Sequence, residues 1–324
     1  MMKRNLNIEA LRVYMMLLIV LLHATGTYID SQNIRSSFGF DVGWLFGYRS
    51  ITFLGVTTFA FISGYYGVKL KLSKCLAMEL MALTYGLVVL LLCVYKHADI
   101  TFGTIRNYLF PISSGNLWYF SCYMMLLIVS PMLNAGLEAI NKSALKQSLL
   151  IFMFIVYGFR FISGGANCDF YVLLLIYLIG RYLRKYPIPF LIKYRMYIFI
   201  SLVLLNFILA FCLGYLGLGK LVLLLEGNNN PITGLAAVSL FYIFSYMKSE
   251  PNVNRLVSKL APNMLAVYVF HELLRGSGVF DFHFLNGQLL ESFAISVLVV
   301  LIISLVERVR IFLFSPLLKL LNKI

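Results

Sequence analysis

The chain has 324 residues, of which 61% are hydrophobic and only 12% charged, and its mean hydropathy is +0.87. A soluble domain of this length cannot bury so much apolar surface, so the composition excludes a soluble globular protein and predicts a membrane protein. The net charge of +14 would suggest a nucleic-acid partner in a soluble protein. In a membrane protein the same charge marks cytoplasmic loops and attracts anionic lipid, so we expect membrane lipids as partners and no nucleic acid.

Apolar stretches long enough to cross a bilayer, about 20 residues in a helix, follow one another along the whole chain. We predict an all-α, polytopic integral membrane protein with about ten transmembrane helices in one domain covering residues 1–324. The predicted spans are 8–28, 44–66, 75–95, 116–134, 147–163, 170–183, 196–218, 232–247, 260–274 and 288–306. The sixth and ninth spans are short, and residues 221–225 are an alternative re-entrant segment.

The basic residues predict the orientation of these spans. With the N-terminus in the cytoplasm, most of the 27 lysine and arginine residues fall in cytoplasmic segments, as the positive-inside rule requires. Arg35 and Arg49 are among the few assigned to the opposite side. Lys3 and Arg4 before the first span resemble the start of a signal peptide, but nine further apolar segments favour a retained helix. We therefore expect a multi-pass protein of the inner or plasma membrane with both termini in the cytoplasm.

The first predicted helix, "EALRVYMMLLIVLLH", carries Arg12 and His23 inside an apolar stretch. Eleven positions make about three helical turns, so both side chains lie on one face with a rise of about 16 Å between them. Arg12 alone reads as a cation reaching for the membrane surface, and His23 alone as a hydrogen-bonding contact between helices. Together on one face they favour a polar path in the interior, where a histidine suits proton transfer.

Three later stretches also place polar or aromatic residues in apolar helices. In "FAFISGYYGVKLKLSKC" a Ser63-Gly64-Tyr65 step precedes three lysines, and the small pair alone would indicate a close helix contact. In "NLWYFSCYMMLLIVSPMLN" the aromatic pair Trp118 and Tyr119 alone would suggest a membrane-interface belt.

The same stretch ends with Ser130 and Pro131, which predict the end or a kink of that helix. The third stretch, "MLAVYVFHELLRG", ends with His271 and Glu272. A histidine there is by default a residue of the membrane surface, but it lies toward the outer side, as His23 does.

The cysteines give no sign of a disulfide or a metal site. Cys75, Cys93, Cys122, Cys168 and Cys212 are scattered, with no CxxC pair and no histidine at metal-ligand spacing. We assign them to packing and expect no metal.

Taken together, these stretches resemble the integral membrane acyltransferase-3 family. The family motif of an acidic residue, Leu-Arg and a histidine after ten intervening residues matches Glu9, Leu11, Arg12 and His23. The other three stretches match further family motifs in the same order, so the resemblance extends over nearly the whole chain. One departure concerns the Arg-x-x-Arg pair after the second helix, where this chain has Lys71 and Lys74. Lysine keeps the positive charge but loses the bidentate fork that suits phosphate.

The resemblance implies one acyltransferase domain that transfers an acyl group, most often acetyl, from acyl-CoA to a hydroxyl of an envelope carbohydrate such as capsule, O-antigen or exopolysaccharide. His23 and Arg12 are then the expected catalytic residues, with His23 acting as a general base or as a transient acyl carrier. The expected donor-binding residues are Arg12, Ser63, Gly64, Tyr65, Lys69, Lys71 and Lys74. The expected acceptor-binding residues are Trp118, Tyr119, His271 and Glu272.

Two other classes of protein fit parts of the pattern. A transporter or flippase for an envelope glycan would also line its interior with polar residues, but it predicts an inverted repeat, and the sequence contains no convincing one. A purely structural membrane partner does not explain an arginine and a histidine on one buried face. The acyltransferase is therefore the favoured hypothesis.

Overall fold

The computed structural model describes residues 5–158, 169–248, 251–278 and 289–321. These residues form helices and turns without a β-strand, which confirms the all-α prediction. The α-helices are α1 Leu6–Ser31, α2 Phe40–Thr52, α3 Leu54–Tyr66, α4 Leu72–Tyr95, α5 Phe102–Leu109, α6 Trp118–Ala139, α7 Lys142–Met153, α8 Asp169–Lys185, α9 Pro189–Lys193, α10 Arg195–Tyr215, α11 Gly219–Val222, α12 Pro231–Ser245, α13 Pro251–Leu260, α14 Met264–Gly276, α15 Leu289–Leu313 and α16 Ser315–Leu321. A π-helical turn, Phe154–Gly158, follows α7, and 3₁₀ turns Ile34–Ser36 and Ala261–Asn263 precede α2 and α14.

Among the described residues, six helical segments are long and apolar enough to cross a membrane. They are α1, the pair α2 and α3, α4, α6, α10 and α15, so the prediction of a multi-pass protein is confirmed. The count of ten spans and the orientation of the termini stay predictions. The predicted ninth span corresponds to the short α14, and residues 159–163 of the predicted fifth span lie outside the described residues.

Two details of the predicted helices differ. The second predicted span is divided at Phe53, where α2 ends and α3 begins. Pro131 does not end the helix, since α6 continues past it to Ala139, and the alternative of a kink there stays a prediction. No disulfide forms among the four described cysteines, which are Cys75, Cys93, Cys122 and Cys212. Cys168 lies outside the described residues.

Helix α1 occupies the centre of the bundle. It packs against α2, α3, α12, α13, α14 and α15, and its residues Leu11 and Met15 are fully buried. Because neighbours surround most of it, the helix can turn some polar side chains toward protein, whereas Tyr14 stays 42% exposed. This position brings His23 into the interior, with its side chain 17% exposed, and leaves Arg12 partly exposed, at 36%.

The helix ends that the charge pattern places on one side meet one another in the structure. Asn7 at the start of α1 donates to the carbonyl oxygen of Met247 at 2.6 Å, close to the end of α12. Asn134 of α6 donates to the Val68 carbonyl oxygen after α3 at 2.9 Å. Each contact joins two segments that the charge pattern places on the same side, while the orientation in the membrane stays a prediction.

Glycines allow α3 and α8 to approach closely. A Cβ atom on Gly64 would lie 2.2 Å from the backbone oxygen of Tyr177, and a Cβ on Gly180 would lie 2.7 Å from the backbone nitrogen of Tyr65. Only glycine fits at such a crossing, so the contact between the two helices depends on this pair.

We therefore expect Gly64→Ala to destabilise the protein by about 1–3 kcal/mol, since the added methyl group must push two backbones apart. The matched control is Gly136→Ala on the exposed face of α6, where a Cβ would meet nothing within 4 Å. The control should be neutral or slightly stabilising. Thermal unfolding of the purified variants in detergent measures both, and equal melting temperatures would contradict the packing role of Gly64.

Candidate active site

His23 on α1 contacts His271 and Glu272 on α14 in a polar cluster between the two helices. The His23 Nδ1 atom lies 2.9 Å from His271 Nε2 and 2.9 Å from Glu272 Oε2. The two imidazole rings stack with centroids 5.1 Å apart. His271 and Glu272 are only 3% and 8% exposed. The fold thus joins two predicted site regions whose histidines are 248 positions apart in the sequence.

The hydrogen-bond partners determine which histidine nitrogens carry protons. His271 Nδ1 lies 2.6 Å from the carbonyl oxygen of Val267. Because a carbonyl only accepts, this nitrogen donates, and Nε2 of the neutral ring is an acceptor. His23 Nδ1 therefore donates toward His271 Nε2 and Glu272 Oε2, the two acceptors that it faces. In neutral His23 the lone pair is then on Nε2, which is the nitrogen free to take a proton.

Arg275 orients the carboxylate of Glu272. It follows Glu272 by three residues on α14, so the two side chains lie on neighbouring turns. Its Nε donates to Oε2 at 3.0 Å and its Nη2 donates to Oε1. Such a two-point contact fixes both the plane and the direction of a carboxylate. Glu272 is thus held in place beside His23, where a carboxylate can stabilise a protonated imidazole.

The same three side chains form a candidate metal-ligand set. Donor atoms of His23, His271 and Glu272 all lie within 4.8 Å of one another, and two histidines with a carboxylate are common zinc ligands. The geometry favours a proton network instead, because Arg275 donates to both oxygens of Glu272 and puts a positive charge next to any cation. The expectation of no metal stays a prediction.

A cavity of about 350 Å³ lies beside Arg12. This volume falls within the range of small-molecule sites, roughly 300–1,000 Å³. Its charged and hydroxyl-bearing lining residues are Glu9, Arg12, Ser63, Lys74, Tyr119, Tyr123 and Tyr268. Arg12 pairs with Glu9 at 3.0 Å, and Lys74 donates to the Tyr123 hydroxyl at 3.1 Å. Two cations from different helices, α1 and α4, therefore face one cavity.

Arg12 and His23 do not share this cavity. The cavity follows the Arg12 face of α1 past Met16 and ends at Ile19. His23 is one turn further on, where it borders a separate cavity of about 20 Å³ together with His271. The continuous polar path expected from the sequence is thus interrupted in this structure by one helical turn.

The residues predicted to bind the donor fall into two groups. Ser63 lines the large cavity, as Arg12 and Lys74 do. Lys69 and Lys71 are exposed in the segment between α3 and α4 and are not among its lining residues. Gly64 lies at the crossing with α8, and the Tyr65 ring packs 4.5 Å from an aromatic ring of α12. The structure therefore brings three of these residues together and places the other four elsewhere.

The residues predicted to bind the acceptor are also separated. Tyr119 lines the large cavity, on the same side as Arg12. Trp118 borders a different cavity, of about 10 Å³, formed with α3 and α8. His271 and Glu272 contact His23 directly. Only Trp118 is therefore away from the groups assigned to the donor and to proton transfer.

A buried ion-pair cluster beside His23 has no counterpart among the predictions from the sequence. Arg49 of α2 donates to the Leu22 carbonyl oxygen of α1 at 2.8 Å, and its Nε lies 2.9 Å from Glu226. Arg35 binds the other oxygen of Glu226 at 2.8 Å. The charge pattern alone assigns Arg35 and Arg49 only to the outer side. Arg49 does fall within the predicted span 44–66, and a charged residue in an apolar span indicates a buried partner.

The fold and the site define a polytopic helical membrane protein that holds a buried histidine–carboxylate network next to a cationic cavity. A family model described as an acyltransferase domain matches residues 5–308. The chain therefore belongs to the acyltransferase-3 family, as its motifs predict, and so to a family of membrane acyltransferases. No curated protein and no solved structure gives a significant match.

The cluster around Glu226 predicts a large loss of stability when its charge is removed. Glu226→Gln leaves two arginines, one of them buried, without their carboxylate, which should cost about 3–5 kcal/mol. Glu138→Gln is the matched control, because Glu138 also pairs with an arginine but is 66% exposed and should contribute less than about 1 kcal/mol. Thermal unfolding in detergent compares the two variants. A Glu226 variant as stable as the control would show that the ion pairs of Glu226 do not stabilise the fold.

Proposed function

We propose that this membrane protein transfers a short acyl group, acetyl in the first place, from acyl-CoA to a hydroxyl of a cell-envelope carbohydrate. Capsule, O-antigen and exopolysaccharide are the proposed classes of acceptor. The observation that carries the proposal is the contact of His23 with Glu272, a carboxylate that Arg275 holds in place. A histidine paired in this way is the usual base for activating a hydroxyl group. Family membership supports acyl transfer as the reaction.

In the proposed reaction His23 Nε2 takes the proton from the acceptor hydroxyl as its oxygen attacks the thioester carbonyl carbon. A C–O bond forms, and the carbonyl π electrons move to oxygen. When the intermediate collapses, the C–S bond breaks and the CoA thiolate leaves with the bonding electron pair. The thiolate then receives the proton from His23 Nε2, so histidine is restored and the products are an ester and a thiol. Glu272 stabilises the imidazolium in between.

The phosphates of CoA are proposed to bind at the mouth of the large cavity. Arg12 and Lys74 both line it, and charge-assisted contacts to phosphate are among the stronger hydrogen bonds in proteins. Arg12 uses one N–H group on Glu9, which leaves further donors for a ligand. The acyl end then points along α1 toward His23. Because Lys69 and Lys71 do not line the cavity, we assign them a weaker, long-range attraction for the donor.

The roles proposed for the aromatic and acidic residues change accordingly. Because His271 and Glu272 contact His23, we assign them to positioning the base rather than to binding the acceptor. Tyr119 borders the same cavity as Arg12, which supports a place beside the donor. Trp118 remains the candidate for stacking on a sugar ring.

His23→Ala should lower acyl transfer by about 100- to 10,000-fold, the usual contribution of a general base. The O-acetyl content of the surface glycan in an expressing host, measured by NMR or mass spectrometry, reports the loss. His97→Asn is the control, because His97 is an exposed residue with a φ of 54° that asparagine tolerates. Full acetylation by a stably expressed His23→Ala variant would contradict the role of His23 as the base. Transport of unmodified glycan without use of acyl-CoA would instead favour a transporter.

Arg12→Ala should raise the KM for acyl-CoA by about 10- to 100-fold, because a charged hydrogen bond contributes about 1.5–3 kcal/mol. The kcat at saturating donor should change much less, since Arg12 lies about 16 Å along the helix from His23. Lys146→Ala, which removes an exposed charge on α7, is the control for a general loss of positive potential. An unchanged KM in the Arg12 variant would argue against donor binding at this residue.

A further inference from the structure

The large cavity and the His23 cluster lie on the same faces of two neighbouring helices. On α1 the cavity ends at Ile19, and His23 follows four residues later on the same face. On α14 the cavity ends at Tyr268, and His271 and Glu272 follow by three and four residues. Both helices therefore lead from the cavity to the base, and Ile19 and Tyr268 stand at the point where the cavity stops.

Ile19 is held firmly at this position by α3. It is 2% exposed, and a Cβ atom on Gly55 would lie 2.5 Å from its Cγ1 atom and 3.0 Å from the backbone oxygen of Met15. The absence of a side chain at Gly55 is thus what lets α3 close over Ile19. With a helix directly behind it, Ile19 limits how far the passage beside it can widen.

Tyr268 forms the opposite wall. Its ring meets the His271 ring edge-on, with centroids 6.0 Å apart, and meets the Tyr119 ring edge-on at 5.6 Å. Tyr268 is only 2% exposed. One side of its ring thus faces the cavity and another faces the histidine cluster, so any group that passes from one to the other passes this ring.

The free space beside His23 is small. The cavity that His23 borders has a volume of about 20 Å³, enough for a single water molecule, whereas the cavity below Ile19 has about 350 Å³. A donor thus has ample room for its pantetheine arm and almost none for the group at its end. The change in width occurs at Ile19 and Tyr268.

We propose that Ile19 and Tyr268 form a partition that sets the length of the acyl group this enzyme accepts. The inference rests on the proposed function, since it takes the large cavity as the donor site and His23 as the base. A two-carbon group fits into the narrow space beside His23 and lets the thioester carbonyl carbon reach the base. The tail of a longer chain fills that space first and leaves its carbonyl carbon below the partition. Ile19 and Tyr268 are specificity-determining residues and take no part in proton transfer.

The test compares acetyl-, butanoyl- and hexanoyl-CoA as donors to the envelope glycan of membranes that contain the full-length protein. Release of free CoA gives kcat/KM for each donor, and mass spectrometry of the glycan identifies the transferred group. Wild-type protein should prefer acetyl-CoA. Ile19→Ala should raise the ratio of hexanoyl to acetyl transfer by about tenfold or more, the scale on which a few methylene groups are discriminated by a pocket.

Leu18→Ala is the matched control. Leucine and isoleucine each lose three carbon atoms when they are truncated to alanine. Leu18 is also buried, at 6% exposed, but it points away from the Arg12 face of α1. In this variant the ratio of hexanoyl to acetyl transfer should stay at the wild-type value. Ile19→Val, which removes one methyl group, keeps the test informative if the alanine variant fails to fold, and it should shift the ratio in the same direction by less.

An unchanged donor ratio in both folded Ile19 variants would overturn the partition, and so would an equal shift in Leu18→Ala. Either result would leave the proposed function intact if wild-type membranes still transfer acetyl groups in a His23-dependent manner. The absence of any acyl-CoA-dependent transfer by wild-type protein would instead overturn the proposed function itself. The two failures are therefore distinguishable in one set of assays.

Discussion

The contact between His23 on α1 and Glu272 on α14 is the constraint on which the rest of the site depends. A carboxylate and two imidazoles can lie inside a membrane protein only when each polar atom finds a partner, because burial without one costs several kcal/mol. The requirement fixes the relative height and rotation of two helices that come from opposite ends of the chain. Once they are fixed, the cavity below and the narrow space beside the base follow from the same two faces.

Supports on both sides keep this contact in place. Arg275 holds Glu272 from within α14, while Arg49 reaches from α2 to the Leu22 carbonyl oxygen, one residue before His23. The second contact is part of a buried cluster with Glu226, so its cost in desolvation is offset only if all partners are present. The base is therefore oriented by charged residues that have no contact with a substrate in the proposed reaction.

The sequence predicted the helical class, the long spans and the shared face of Arg12 and His23, because hydrophobicity and the 3.6-residue period act locally. It could not show that His271 and Glu272 would meet His23, since that contact depends on how distant helices pack. The same limit applies to the lysines after α3. Spacing groups Lys71 with Lys74, but only Lys74 faces the cavity, because α4 begins between them at Leu72. The ion pair of Arg49 could not be predicted by counting charges, because that method assigns each arginine to one side of the membrane and does not consider burial within a span.

The apolar turn between the large cavity and His23 also affects the membrane around the protein. A continuous file of water from Arg12 to a histidine and a carboxylate would conduct protons, and a cell membrane cannot tolerate such a leak. Ile19 and the Tyr268 ring lie between the two cavities and interrupt such a file. In the proposed reaction the two side chains that meet the acyl group thus also keep water on the Arg12 side away from His23.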